Sequence, residues 1–276
     1  MGLTLRQFPY LSTNRLLRVV LITMTVILGT ASFVAAAPGY EAPRAARPVA
    51  IDGDLSEWRG GAPMVLGSAP AQVAHLPYWG GPLDLSAKGW VQWDRDFLYF
   101  AAEVTDNHVV MVQYDPFYIW GSDSIQIALD PRLDCAAEGY AQDDREYGWA
   151  LVGGKSSTYC WQGTRAPGEM AEIESAIIIN PDGHGWTLET AIPWEEIGTK
   201  PAVGLELGFS WLVNESDVEE RDGWIEWTGG LGAEKSPTKF GRMVLAAHAV
   251  SATSSGESAV ATAPRQKERI SIAALG

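Results

Sequence analysis

Through the middle of the chain, apolar and polar residues alternate in short runs, and Gly, Pro and Asp clusters break one run from the next. Ser124-Ile125-Gln126-Ile127-Ala128-Leu129-Asp130 alternates with period two and stops at Pro131. Gly89 to Trp93 and Phe97 to Val104 flank the polar turn Asp94-Arg95-Asp96, which predicts a hairpin. Further strands are predicted at Tyr147–Val152, Glu174–Asn180, Gly185–Ile192, Leu205–Asn214 and Lys239–Ala246, with Pro181-Asp182-Gly183-His184 as a turn. Pro193 to Ile197 is the only helix-like piece, a single turn. Many short strands and almost no helix predict an all-β fold, an antiparallel β-sandwich of jelly-roll or immunoglobulin-like kind.

The ends of the chain read differently. Arg6, Arg15 and Arg18 precede an apolar stretch from Val19 to Leu28, and Ala35-Ala36-Ala37 offers small residues for cleavage. Residues 1–37 therefore read as a secretory signal peptide, with an uncleaved anchor as the alternative, although the apolar run is short for a span. Residues 38–48, rich in Ala, Pro and Arg, read as a linker. Residues 247–276 turn to Ser, Ala, Thr and Gly and read as a disordered tail. The folded unit is expected over 49–246, in a protein secreted to the periplasm or beyond the cell.

Composition narrows the partner. The formal charge is −14 over 276 residues, and loss of three Arg with the leader takes it to −17. A nucleic acid or an anionic membrane needs a basic face, so neither is expected as a partner. The charge suits a neutral ligand or acidic loops that take calcium. Twelve Trp against seven Phe is unusual, because a buried indole N–H needs an acceptor. Some of these rings should therefore meet solvent or ligand, while Trp58, Trp93 and Trp227 read as core. Cys135 and Cys160 permit one disulfide or two free thiols.

Five segments in order carry a resemblance. Val49-Ala50-Ile51-Asp52-Gly53-Asp54-Leu55-Ser56-Glu57-Trp58 opens the unit, and Trp93-Asp94 leads into Phe97-Leu98-Tyr99. Trp120-Gly121-Ser122-Asp123-Ser124-Ile125-Gln126-Ile127 follows, then Gly185 to Trp194, and finally Lys239 to Leu245. Together they resemble the family 9 carbohydrate-binding modules, sandwich modules of the DOMON-like superfamily found on secreted xylanases. The resemblance implies a non-catalytic module that binds an oligo- or polysaccharide in xylan or other carbohydrate catabolism, beside a glycoside hydrolase.

The resemblance also carries site residues. It places Trp120 where the family has the first of two sugar-clamping rings, and puts Glu234, which is not aromatic, near the second. Gln126 stands at the family's site carboxylate, and Gly148 or Trp149 at its site arginine. Asn214 matches a sugar-contacting position. Trp149, Trp161 and Trp224 are the candidates for the absent ring. An aromatic ring covers the apolar C–H face of a pyranose while amides and carboxylates read its hydroxyls.

The family also carries structural calcium, for which Asp52, Asp54, Glu57 and Asp106 are candidate ligands. Their alternative is to cap turns in solvent. Glu195-Glu196 point about 100° apart on a helical turn and make a poor hydrolytic pair, so no enzyme activity is expected. A haem-binding DOMON-type domain using Met111, Met243, His108 or His184 is the remaining alternative.

Overall fold

The computed structural model describes residues 38–111, 115–135, 139–218 and 220–249. The expected leader (1–37) and most of the expected tail (250–276) lie outside the described residues. Thirteen strands form one curled sheet. In chain order they are β1 (Gly39–Arg44), β2 (Met64–Leu66), β3 (Leu85–Trp93), β4 (Phe97–Asp106) and β5 (Ser124–Asp130). Then come β6 (Arg145–Val152), β7 (Lys155–Gln162), β8 (Gly168–Glu169), β9 (Glu174–Ile179) and β10 (Trp186–Pro193). After a helical turn α1 (Trp194–Ile197) come β11 (Glu206–Glu215), β12 (Gly223–Glu226) and β13 (Gly241–Ala249).

The strand path is β8-β7-β6-β5-β11-β13-β1-β3-β4-β10-β9, with β12 beside β11 and β2 beside β3. The sheet folds over so that its ends meet, Ser156 Oγ on β7 lying 2.7 Å from Ser175 Oγ on β9. The result is a sandwich. One layer is built on β5, β6, β7 and β11, the other on β3, β4, β9 and β10.

All pairings are antiparallel except those of β1, which runs parallel to β13 and to the end of β3. Residues 38–48 are therefore no mere linker. Tyr40 Oη, at the second position of β1, accepts a hydrogen bond from the Val91 amide on β3 at 3.2 Å. At the other end β13 continues to Ala249, past the expected boundary at 246.

Strand alternation decides which side chains fill the core. Ile125, Ile127 and Leu129 of β5, Tyr147 and Trp149 of β6, and Phe209, Trp211 and Val213 of β11 point between the layers. Phe100 of β4 meets the edge of Trp211 at 5.4 Å. The Trp211 ring lies flat on Gly89 of β3, where an added Cβ would sit 2.7 Å from it. Trp58 and Trp93 are core as expected, and Trp227 packs against it. Cys135 and Cys160 are free thiols, the second buried.

Many indoles spend their N–H on backbone. Trp79, Trp90, Trp93 and Trp194 each donate to a carbonyl oxygen at 2.8–3.1 Å. Trp58 instead donates to the carboxylate of Glu189 at 2.6 Å, and the amides of Asp52 and Gly53 donate to the same group at 3.1 and 2.6 Å. This buried clip explains the Ile51-Asp52-Gly53 opening. Gly53 has φ 86°, and a Cβ there would lie 2.4 Å from Ile178 Cγ1. Gly53→Ala should cost about 2 kcal/mol in chemical denaturation through strain and clash together.

Candidate functional site

Alternation that sends Trp149 inward sends its neighbour Gly148 outward. Trp149 is 0% exposed and lies in the core, so it cannot serve as a sugar platform. The opposite face of the β5 layer carries Ser124, Gln126, Glu146, Gly148 and Asn214, brought into register by the β5–β6 and β5–β11 pairings. The loop after β12 covers part of this face, with Leu231 and Phe240 packed on Ala128 and Leu212.

A polar chain runs across it. Gln126 Nε2 donates to Glu146 Oε1 at 2.8 Å, and Asn214 Nδ2 donates to Gln126 Oε1 at 3.1 Å and to Ser124 Oγ at 2.8 Å. Lys235 Nζ closes the chain on Glu146 at 2.7 Å. Gln126 and Asn214 thus come together as expected, and both are buried. Glu234 does not join them. It is exposed and ion-paired with Lys239, while the next residue, Lys235, reaches the network.

The chain leaves polar atoms unspent. Asn214 Oδ1 and Arg221 Nη2 are buried without a hydrogen-bond partner. Arg221 lies 4.1 Å above the Trp224 ring, against which His75 also stacks at 4.5 Å. Burial brings the Arg221 guanidinium down to about 10, against the pull of Glu226 and Glu146. An orphaned buried polar atom costs about 1–3 kcal/mol, which a ligand hydroxyl can recover.

Beside this floor stands an aromatic patch. Asp115 caps a 3-10 segment, Pro116–Gly121, by accepting from the Phe117 amide at 2.9 Å. The segment sinks Ile119 and turns Phe117, Tyr118 and Trp120 outward, Trp120 to 36% exposure. Among the described residues, Trp120 is the only Trp in the set of exposed large apolar side chains. Phe117 meets Tyr118 and Tyr159 edge-on at 4.8 and 5.6 Å, and Tyr159 meets Trp161 at 5.3 Å. Trp161 Nε1 donates to the Phe117 carbonyl at 3.3 Å, tying the patch together.

The Trp161 ring lies over Gly148, where a Cβ would fall 2.6 Å from it. Of the three rings left open by the sequence, Trp161 is the one joined to the Trp120 segment. Gly148→Ala should push this ring aside with little loss of stability, which tryptophan fluorescence beside thermal unfolding checks.

Two expected cation ligands lie elsewhere. Asp52 Oδ1 accepts from the Asp54 amide at 2.9 Å and Asp54 Oδ1 from the Ser56 amide at 3.0 Å, so both cap the opening turn. Asp106 instead meets Asp123 and Glu215, residues that sequence reasoning passed over, with ligand oxygens all within 4.8 Å and all three side chains buried. Asp106 ends β4 in one layer; Asp123 precedes β5 and Glu215 ends β11 in the other.

Backbone amides satisfy part of this group. His108 N donates to Asp106 at 2.7 Å, Ser216 N to Asp123 at 2.9 Å, and Val110 N to Asp123 as well. Asp106 Oδ2 and Glu215 Oε2 have no partner. Burial, then the charge of Asp106, raises Glu215 to about 9, and burial also raises Asp123 and Asp106. An all-oxygen set with open lone pairs is what a hard divalent cation takes. Among the suggested haem ligands, Met243 is buried in the core and His184 Nδ1 lies 3.0 Å from the Asn107 carbonyl oxygen.

Residues 67–248 match the family described as "Carbohydrate family 9 binding domain-like". The chain is 28% identical over 157 residues to endo-1,4-beta-xylanase A of Thermoanaerobacterium saccharolyticum and 27% over 162 residues to exoglucanase XynX of Acetivibrio thermocellus. These matches cover 56% and 58% of this chain, and only 12% and 14% of those enzymes. The fold is similar to a family 9 carbohydrate-binding module of Caldicellulosiruptor kristjanssonii in complex with cellotriose, at TM-score 0.57 and 23% identity, covering 83% of this chain and 100% of that one.

A module of the same organism in complex with glucose matches at TM-score 0.55 and 24% identity, covering 76% of this chain and 97% of that one. A putative carbohydrate-binding protein of Bacteroides uniformis matches at 0.54 and 12%, covering 76% of this chain and all of that one. With most of the folded unit matched, this chain belongs to the carbohydrate family 9 binding domain-like family, whose members are binding modules rather than catalysts.

Proposed function

We propose that this chain is an exported, non-catalytic module that seats a saccharide against Trp120 and reads its hydroxyls with the polar face beside it. The observation that carries this reading is the exposed Trp120 indole, the one exposed indole among the described residues, within a chain of aromatic contacts and next to a network with unspent buried polar atoms. Stacking removes the apolar face of the sugar from water, and Asn214 Oδ1 and Arg221 Nη2 each offer one hydrogen bond to a hydroxyl. The leader-like segment 1–37 supports export, and the xylanase and exoglucanase relatives support a place in polysaccharide breakdown. Titration with cellotriose, xylotriose and glucose tests the reading; it fails if none of these, nor any glycan of a broad array, binds.

We further propose that Asp106, Asp123 and Glu215 hold a structural calcium ion. Three buried carboxylates this close either share protons or take a cation, and their donors fit calcium. Because they come from both layers, the ion would clamp one end of the sandwich beside Asn214, which precedes Glu215 in β11.

A further inference from the structure

The outer face of the layer built on β3, β4 and β10 carries a trough that Trp120 does not reach. Strand register sets its floor. Val65 pairs with Lys88, Lys88 with Glu103, Glu103 with Thr187 and Thr187 with Ile178, so five strands put these side chains in one row. Their chain neighbours Ala87, Ala102, Leu188 and Ile177 lie in the core, so alternation turns the row outward. The row crosses four strand steps, about 20 Å at about 4.8 Å each. Its ends, Val65 and Ile178, are 44% and 49% exposed.

The row is walled on both sides. On the Trp90 side the wall is residues 53–63, held down by the Trp58–Glu189 clip and by Trp90, whose Nε1 donates to the Gly61 carbonyl at 3.1 Å. The cavity there is about 500 Å³, with Arg59 and Asn180 in its lining. On the Ser86 side the wall is the chain after β2 together with Trp79 and Pro82, around a cavity of about 420 Å³. Gln72 fastens this wall: its Oε1 accepts from the Ser68 and Ala69 amides, both at 3.2 Å, and its Nε2 donates to the Val65 carbonyl at 2.8 Å. Lys88 and Glu103 line both cavities, which therefore run together over this pair.

The lining suits a ligand rich in hydroxyls. Lys88 Nζ and Glu103 Oε2 lie 3.2 Å apart with about half of each side chain in solvent, which leaves donors and acceptors of both kinds unspent. Ser86 Oγ donates to the Pro82 carbonyl at 2.7 Å and Thr187 Oγ1 to the Gly53 carbonyl at 3.0 Å, so both hydroxyls keep lone pairs to accept from a ligand. Trp90 and Trp79 give each cavity one aromatic ring. The paired charges favour a neutral ligand. A peptide is disfavoured, because β3, β4 and β10 are hydrogen-bonded on both margins and the floor offers no free backbone to extend.

We propose that this trough is a second saccharide site, taking a run of linked neutral sugar rings across β3, β4 and β10 on the layer opposite Trp120. The inference rests on the proposed function for the class of ligand alone; its residues are separate, and either site stands without the other. Two sites on opposite layers let one module hold two glycan chains, or two stretches of one, with gain in avidity.

Counting bound chains on the full chain tests it. The protein is titrated with cellohexaose and, separately, xylohexaose, and weighed by native mass spectrometry. With at least one of them the wild type should take two chains. Lys88→Ala with Glu103→Ala should take one, or bind the second at least tenfold more weakly. Trp120→Ala should lose the other chain and keep this one. An exposed ion pair contributes little to stability, so the double variant should fold, and a near-UV circular dichroism spectrum like the wild type's shows that it has.

Two chains held with unchanged affinity by the double variant would overturn the proposal. So would a wild type that takes a single chain which Trp120→Ala abolishes, or one that takes none. A single chain lost in the double variant and kept by Trp120→Ala would sustain this site and remove the one at Trp120.

Discussion

Trp120→Ala should reduce saccharide affinity by roughly 30- to 150-fold while lowering stability by less than about 1 kcal/mol. A sugar ring stacked on half of an indole hides about 100 Å² of apolar surface, worth about 2–3 kcal/mol at about 25 cal/mol per Å². Each 1.4 kcal/mol is tenfold in Kd. The stability change is small because Trp120 leans on Tyr118, itself 50% exposed, and belongs to none of the buried apolar clusters. Titration calorimetry with the best-bound oligosaccharide, beside thermal unfolding, checks both numbers. Unchanged affinity would move the site elsewhere. A large fall in melting temperature would make Trp120 a packing residue.

In EDTA the melting temperature should fall by about 5–10 °C between pH 5 and pH 8.5, and excess calcium should abolish that fall. The sign follows from the direction of the shifts. Glu215 holds its proton more tightly folded, at about 9, than unfolded, near 4.5. Its contribution is full below about pH 4.5 and is lost as the pH climbs toward 9. Asp123 and Asp106 are raised too and act in the same direction. A cation replaces the protons, so calcium binds more tightly as the pH rises. Calcium at 100 times its Kd adds about 2.7 kcal/mol, or about 5–10 °C for a domain of this size. Glu215→Gln should flatten the pH slope in EDTA and blunt the response to calcium. A flat profile without metal would show that the three carboxylates carry no linked charge.

The all-β class was legible because β3, β4, β5, β10 and β11 announce themselves with aromatic and aliphatic residues between polar turns. Less legible were strands whose side chains do not need the core. β7 is largely Ser, Thr and Lys in its first half, and β1 is held by its neighbours' backbones, so neither shows strong alternation. For the candidate site, a motif pointed to Trp120, Gln126 and Asn214, and the fold leaves Trp120 exposed and hydrogen-bonds Asn214 to Gln126. The motif failed where one residue of register decides the side of a sheet, as with Trp149 and Gly148, or the reach of a loop, as with Glu234 and Lys235. Asp123 and Glu215 stand next to Ser124 and Asn214, but only the folded chain brings Asp106 to them. Acids at strand ends were the one available signal.

The position of β1 matters to anyone cutting or grafting this domain. A recombinant piece starting at residue 49 would lack the ribbon lying between β13 and β3, leaving both with unpaired amides and carbonyls along newly bared margins. Such a truncation should go to inclusion bodies or self-associate, whereas one starting at residue 38 should stay soluble and monodisperse by gel filtration. Fusion junctions therefore belong ahead of Pro38, and the short stretch after it is a staple rather than a tether.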